Sequence, residues 1–546
     1  MKTITKILAF AAVVILSAGC IKETFPQSSY VTTDQAASAP NSFGNFVDAC
    51  TILTGQFSYG GSSNYPWDFG YPSFFLQRDV MGQDIACESS SSEWYTTWYT
   101  CGTGLGPQYA VCQLPWTYYY SWIDNCNKVI SLAGDEPSDL HKSGAGIAYA
   151  MRAMFYMDIA RMYGKTYKNN EDAPTVPIIT EKTTLEQATA NPRATNKDMW
   201  DFIISDLEKA EVYLDGYKRT SNMTPDLSVV YGLKARAYLT MEDWPNAEKY
   251  AKLAQEGYTP LTAEQYTDRE TAFNSATSTN AWIFATGNKP DDPNILNNDG
   301  DSSWASQMTL ETSSGMGYAA NYGTPKRIDA HLYATIPESD CRKKCYIDPA
   351  LDEIASYAEL VAALEEYSDY PDNLIGTAMA TASKNIGCLS LKFREAGGDA
   401  GKINQYVGFC VDIPLMRVEE MMLIEAEAAG MQDEARGKAL LSAFAKLRDP
   451  EWTYDSMTSF RDQVWWQRRV ELWGEGFATF DIKRLNKGIT RSYAGTNHPE
   501  GYRWNTNEPP QWMDLCIVQT ETNYNTACTN NPTPIAPTSD SPEFQW

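Results

Sequence analysis

The chain has 546 residues and sets 69 acidic against 44 basic side chains, a net charge of −25. Such an overall field disfavours nucleic acid and anionic lipid as partners, and the composition is that of a globular protein long enough for a large core or several modules. With three histidines and no C-x-x-C there is little to build a zinc site from, so neither metal nor cofactor is expected.

The first element is "MKTITKILAFAAVVILSAGC". Lys2 and Lys6 precede a nearly continuous apolar run from Ile7 to Leu16. That run is too short to cross a bilayer, which takes about 20 residues, and suits a signal peptide. Leu16-Ser17-Ala18-Gly19-Cys20 looks like a bacterial lipoprotein box. It predicts a signal peptide over 1–19 and lipidation of Cys20, and several acyl chains on one cysteine make a stable anchor. Residues 20–42 read as a polar tether, and 43–546 as a single domain. Eleven cysteines remain beyond Cys20, so at least one is unpaired within the chain. Cys341 with Cys345 and Cys516 with Cys528 are spaced for local disulfides.

Residues 43–112 are dense in aromatics, Gly and Ser, as in "YGGSSNYPWDFGYPSFF" and "ESSSSEWYTTWYTCGTG". They lack a helical period and read as ordered loops. Periodicity then appears. Ile147, Met151, Met154, Phe155, Ile159 and Met162 recur at helical spacing until Gly164. Thr195 stands three before Asp198 as a helix start, followed on one face by Trp200, Ile203, Ile204, Leu207 and Leu214. Over 225–260, Tyr231, Ala235, Tyr238, Ala247, Ala254 and Pro260 fall where a tetratricopeptide helix pair places its large, small and terminating residues. Val418 to Arg448 is a weaker copy. Between them, 262–412 is a second loop-rich region. Ala281–Gly287 reads as a buried strand, and Asn297–Gly323 as loop carrying Trp304, Tyr318 and Tyr322. The tail after Thr529 should be poorly ordered or draped on the surface. The fold class is mainly α: a tetratricopeptide-like helical-repeat scaffold, mainly over 113–260 and 413–490, with a loop-rich aromatic lobe for ligand.

"WWQRRVELWGEGFATFDIKRLNKG" (465–488) crowds charges among tryptophans and reads as scaffold rather than a catalytic pocket. Phe460, Val464, Trp465 and Arg468 share a helical face, with the arginine stem along apolar surface. Arg468 with Glu471 and Asp481 with Arg484 are spaced to pair on helices, and Gly474 and Gly476 bracket a turn.

Together these pieces resemble the SusD/RagB family of surface nutrient-binding lipoproteins of Bacteroidetes. The motifs that carry the resemblance run in the family's order: the lipoprotein box, "RDVMGQD" (78–84), "WTYYYSWIDNCNKVI" (116–130), "MRAMFYMDIARMYG" with "PII" (177–179), the tetratricopeptide pair, "IPLMRVEEMMLIEAEA" (413–428), the 465–488 stretch and "IVQTETNYN". Gln467 and Ala478 depart from the residues common there, Glu and Arg, which puts one family ion pair in doubt. The resemblance implies a lipid-anchored protein on the outer face of the outer membrane. It implies capture of an oligosaccharide, or less often a peptide, for a SusC-like TonB-dependent transporter, with no chemistry on the ligand.

A sugar site needs flat apolar platforms edged by neutral hydrogen-bonders. Trp67, Tyr71, Trp94, Tyr95 and Trp98 in the first loop region, and Trp304, Tyr318, Asn321 and Tyr322 in the second, are the candidate ligand-binding residues. Trp116, Trp122, Trp244 and Trp282 lie in periodic or motif positions and are assigned to packing. Two other classes stay open. A glycoside hydrolase needs two facing carboxylates, which no local motif singles out; a protein-binding repeat scaffold leaves the aromatic loops unexplained.

Overall fold

The computed structural model describes residues 41–56, 65–297, 300–313, 315–539 and 541–546. Cys20, the signal peptide and the tether as far as residue 40 lie outside the described residues. The scaffold helices and strands all lie in one compact unit that begins at residue 46.

The scaffold helices are α1 (Ser73–Val80), α2 (Ala110–Ala133), α3 (Asp139–Tyr163), α4 (Asn196–Tyr213), α5 (Leu227–Met241), α6 (Trp244–Gln255), α7 (Val418–Gln432), α8 (Glu434–Ala445), α9 (Phe460–Glu471) and α10 (Ala478–Arg484). The strands are β1 (Ile85–Ala86), β2 (Trp282–Gly287), β3 (Arg327–Ile328) and β4 (Asp412–Arg417), paired antiparallel as β1 with β3 and β2 with β4. The scaffold is thus mainly α, and no described helix is long and apolar enough to cross a membrane.

Capping chemistry sets the repeat. The Thr195 hydroxyl accepts from Asp198 N to open α4. Asp226 accepts from Ser228 N and Val229 N to open α5, Glu242 turns the chain in the left-handed region (φ 58), and Asp243 then caps α6. The small faces do the packing. α5 lies on α6, α6 on α7 and α7 on α8. At the α7–α8 contact the two backbones touch: a Cβ on Gly437 would lie 2.2 Å from Gly430 Cα. Phe460 of α9 closes over that glycine pair, its ring atoms 2.1 Å from where a Gly430 Cβ would stand. The predicted strand at 281–287 exists as β2, and through β4 it joins the second loop region to the start of α7.

Three expectations are corrected. The first loop region is not all loop, because "SFFLQRDV" forms α1. Every residue of α1 is buried, so it has no polar face and shows no amphipathic period. Trp465 does not share the core face with Phe460, Val464 and Arg468. It is half-buried, its ring flanked by Arg469 at 4.8 Å and Lys487 at 5.4 Å. The charges of 465–488 do form buried pairs, but Glu471 takes Arg448, Arg417 and Arg342 rather than Arg468. Arg468 goes to Asp481 (2.7 Å), which also holds Arg484 (2.7 Å) as predicted. Burial raises the Glu471 carboxyl, yet the three guanidiniums outweigh it and hold this group well below the usual carboxylate range. Gln467 still receives Arg342 Nη2 at 2.9 Å through its amide oxygen. Gly474 (φ 76) and Gly476 (φ 82) make the turn from α9 to α10.

All eleven described cysteines are free thiols, so neither local disulfide is formed. The tail is draped: Phe544 N donates to Ser492 O, and Trp546 stacks on His331.

Candidate functional site

The two loop regions meet at a small aromatic surface, and the base of that surface is rigid. Ser73 of α1 donates its hydroxyl to Trp67 O (2.5 Å) and lies 3.2 Å from the Tyr95 hydroxyl. Glu93 accepts from Tyr95 N (3.0 Å) and from Lys326 Nζ (2.7 Å), with both charged side chains 1% exposed. The Lys326 ammonium also sits 5.4 Å over the Tyr95 ring. With residues 93 and 95 held inside, Trp94 between them is turned outward and is 39% exposed.

The second region supplies the other half. Gly317 (φ 79) turns the chain into the short helix Tyr318–Asn321, and Tyr318 N donates to Ser306 Oγ at 2.6 Å. Tyr318 is buried and stacks on Tyr322 with centroids 4.6 Å apart. Tyr322 is 46% exposed, and Asn321 beside it is exposed. Burial pushes the Tyr318 hydroxyl up, opposed by a side-chain polar contact with Trp94, so the two regions touch through these rings. Ser302 adds a bond to Tyr65 O at 2.9 Å. Tyr318 thus links two part-exposed rings, Trp94 and Tyr322, and the exposed Asn321, next to Tyr322 in sequence, offers a neutral amide that both donates and accepts. Apolar ring faces of this kind pack on C–H surfaces, and the amide suits hydroxyls.

Besides the buried Tyr318, five more of the nine predicted residues present no open face. Trp67 and Trp98 are buried edge to face, 6.2 Å between centroids. Tyr95 is buried under Lys326. Tyr71 donates its hydroxyl to Asp158 Oδ2 (2.7 Å) among Phe75, Tyr119 and Trp122. Burial first, then Asp158, raises the Tyr71 hydroxyl. Trp304 is a core pillar between Phe75 and Phe393, with centroids at 5.9 and 5.2 Å. These five act as foundation: they fix the loops whose outer residues are Trp94 and Tyr322. Tyr65 was not singled out by sequence. It stacks flat on Trp67 (4.6 Å, 2°) and meets Trp94 edge-on (5.7 Å), extending the surface. Its signal is slight: an aromatic two before Trp67, kept out of helix by Pro66. Among the described residues no group of three or more His, Cys, Asp or Glu is placed to hold a metal ion.

Comparison with known proteins gives two family matches. Residues 76–239 match a model described as starch-binding associating with outer membrane, and residues 246–543 match that of the SusD family. The fold is similar to that of a SusD-like carbohydrate binding protein from Bacteroides vulgatus, at 21% identity over 91% of this chain and 98% of that one, with a TM-score of 0.69. It is also similar to surface glycan-binding protein A from Bacteroides thetaiotaomicron in complex with laminarihexaose, at 18% identity over 90% and 98% of the two chains, with a TM-score of 0.64. No curated protein matches the chain.

Proposed function

Since this chain belongs to the SusD family, we propose that it is a cell-surface glycan-binding protein. It captures an oligosaccharide, by its neutral rings, on the surface formed by Tyr65, Trp94, Asn321 and Tyr322 and delivers it, unaltered, to a SusC-like TonB-dependent transporter. The anchor is Cys20, acylated in the outer membrane. The observation that carries this reading is that each loop region contributes one part-exposed ring, Trp94 and Tyr322, to a single surface on a rigid buried base. The laminarihexaose complex of a structural neighbour supports the ligand class.

The carboxylate nearest the surface in sequence, Glu93, is consumed by Lys326 and a backbone amide. That leaves it unsuited to be one of the two working acids a glycoside hydrolase requires, which supports binding without chemistry. Each sugar stacked on a ring contributes about 1 kcal/mol. Two or three such contacts, less the cost of ordering the ligand, put Kd on the order of micromolar to millimolar. Weak capture suits release to a transporter.

Affinity electrophoresis and calorimetry over a panel of neutral glycans test the reading. One glycan class should retard or titrate the protein and yield no new reducing ends. Retention of none, or release of reducing ends, overturns it. In cells, Cys20→Ala should release the protein from the membrane fraction or stall its processing.

A further inference from the structure

A second concave site lies beyond the aromatic surface. It is a cleft of about 520 Å³ between the 87–89 and 382–388 segments and the 495–503 loop, within the range of sites that enclose small ligands, about 300–1,000 Å³. Both halves of the aromatic surface run into it. Ser89 on its wall is a few residues before Trp94 in the same segment. On the other flank, Gly323, next to Tyr322, is so close to the 380–381 backbone that a Cβ would lie 2.1 Å from Ala380 O, and Ala382 and Ser383 follow on the cleft wall.

The charges in this cleft are unequal in their freedom. Its carboxylates are already used. Glu88 accepts from Arg327 Nε and from Ser383 Oγ, each at 3.1 Å. Asp352 accepts the backbone N–H groups of Ile386 (2.6 Å) and Gly387 (2.9 Å). Arg503 is different. Its Nε donates to His498 O at 2.7 Å, and among the described residues the rest of the guanidinium has no partner. Every other arginine of the chain is ion-paired or, like Arg193 and Arg491, spends its guanidinium mainly on backbone carbonyls. In a chain with 69 acidic residues to 44 basic ones, an arginine that meets no carboxylate and only a single carbonyl stands out. Lys384, which lies in sequence between the lining residues Ser383 and Asn385, also has no ion-pair partner among the described residues, and both Lys384 and Asn385 are exposed.

We propose that this cleft is a second sugar subsite and takes an anionic sugar residue, one bearing a carboxylate or a sulfate ester, on the guanidinium of Arg503. The proposal rests on the reading of the chain as a glycan binder, and it names part of the glycan: neutral rings on the aromatic surface, an acidic substituent in the cleft. A guanidinium presents a planar fork that matches either anion through paired hydrogen bonds. Lys384 adds a second positive charge, and Asn385 serves the ring hydroxyls.

The test uses the full mature chain and three monosaccharide probes: methyl β-D-glucuronide, glucose 6-sulfate and methyl β-D-glucoside. Binding is followed by saturation-transfer NMR titration. At least one anionic probe should bind about tenfold or more tighter than the glucoside, the scale of a charge-assisted contact. The preferred anion tells carboxylate from sulfate. The preference should shrink with added salt, vanish in Arg503→Gln and return in part in Arg503→Lys. No preference for either anion in the wild type overturns the proposal, and so does a preference that survives in folded Arg503→Gln. If Arg503→Gln does not fold, the wild-type comparison decides alone. The probes are too small to report on the aromatic surface, whose own test uses neutral oligosaccharides, so failure of one reading is distinguishable from failure of the other.

Discussion

Glu93 and Lys326 meet at 2.7 Å with almost no access to water, and the pair ties one loop region to the other beside Trp94. A buried pair of this kind adds little over an apolar substitute, but removing one partner strands the other's charge. Lys326→Met should therefore lower stability by about 3–5 kcal/mol and also weaken glycan binding, because Trp94 loses its footing. Urea denaturation and calorimetry on the same preparation check both halves. Weakened binding at wild-type stability would deny the link.

The surface and its foundation should separate cleanly by substitution. Trp94→Ala and Tyr322→Ala should each weaken binding of the cognate glycan several-fold and leave the melting temperature near wild type, since both rings are part-exposed. Trp304→Ala removes a core pillar and should cost about 3–5 kcal/mol of stability. Calorimetric titration beside thermal melts tests the contrast. Normal binding by both surface variants would place the site elsewhere.

Glu471 anchors three arginines inside the scaffold. Glu471→Gln keeps the shape and leaves those guanidiniums without their shared counter-charge. The denaturation midpoint should fall by the equivalent of about 3–5 kcal/mol, with glycan affinity unchanged in the fraction that remains folded.

Asp79 gives a pH signature. It is buried, and its two carboxylate oxygens accept the N–H groups of Gly476 (2.9 Å) and Ala478 (3.0 Å) at the start of α10. Burial pushes this carboxyl up to about 7 against the pull of those donors, whereas in the unfolded chain it titrates near 3.9. Between about pH 4 and pH 7 the folded protein thus holds a proton that the unfolded chain has released, and this group's contribution to stability falls as pH rises through that window. Asp79→Asn is neutral throughout. It loses one acceptor, an offset that does not vary with pH. The stability of the variant relative to wild type should therefore climb by up to about 4 kcal/mol from pH 4 to pH 8. Denaturant titrations across that range check it, and a flat difference would show that Asp79 ionises normally.

The helix pair at 227–255 is legible in the sequence because every local signal agrees. Asp226 and Asp243 cap, Pro245 follows the second cap, and alanines mark the contact face. α1 is not legible, since a helix buried on all sides lacks the polar stripe that announces one. The site is half legible. Aromatic density locates both loop regions, but which ring faces water is decided by neighbours distant in sequence. Trp94 is outside because Lys326 pulls Glu93 in, and Trp304 is inside because Phe393 closes over it. Arg503 escapes a sequence reading altogether, because a missing partner has no motif.

The free thiols make the protein its own unfolding clock. Nine of the eleven described cysteines are buried, and Cys341 and Cys410 are only partly covered. Burial pushes Cys101 and Cys341 up to about 12 and Cys345 and Cys410 up to about 11, so little thiolate is present near neutrality at any of them and access decides the order of reaction. In maleimide the native chain should gain mass first at Cys341 and Cys410. Each further adduct then dates the moment a named helix or loop opened: Cys126 for α2, Cys101 for the turn behind Trp98, Cys388 for the wall of the Arg503 cleft. Mass spectrometry can thus read the breathing of scaffold, aromatic base and cleft separately, in one reaction, without introducing a single label site.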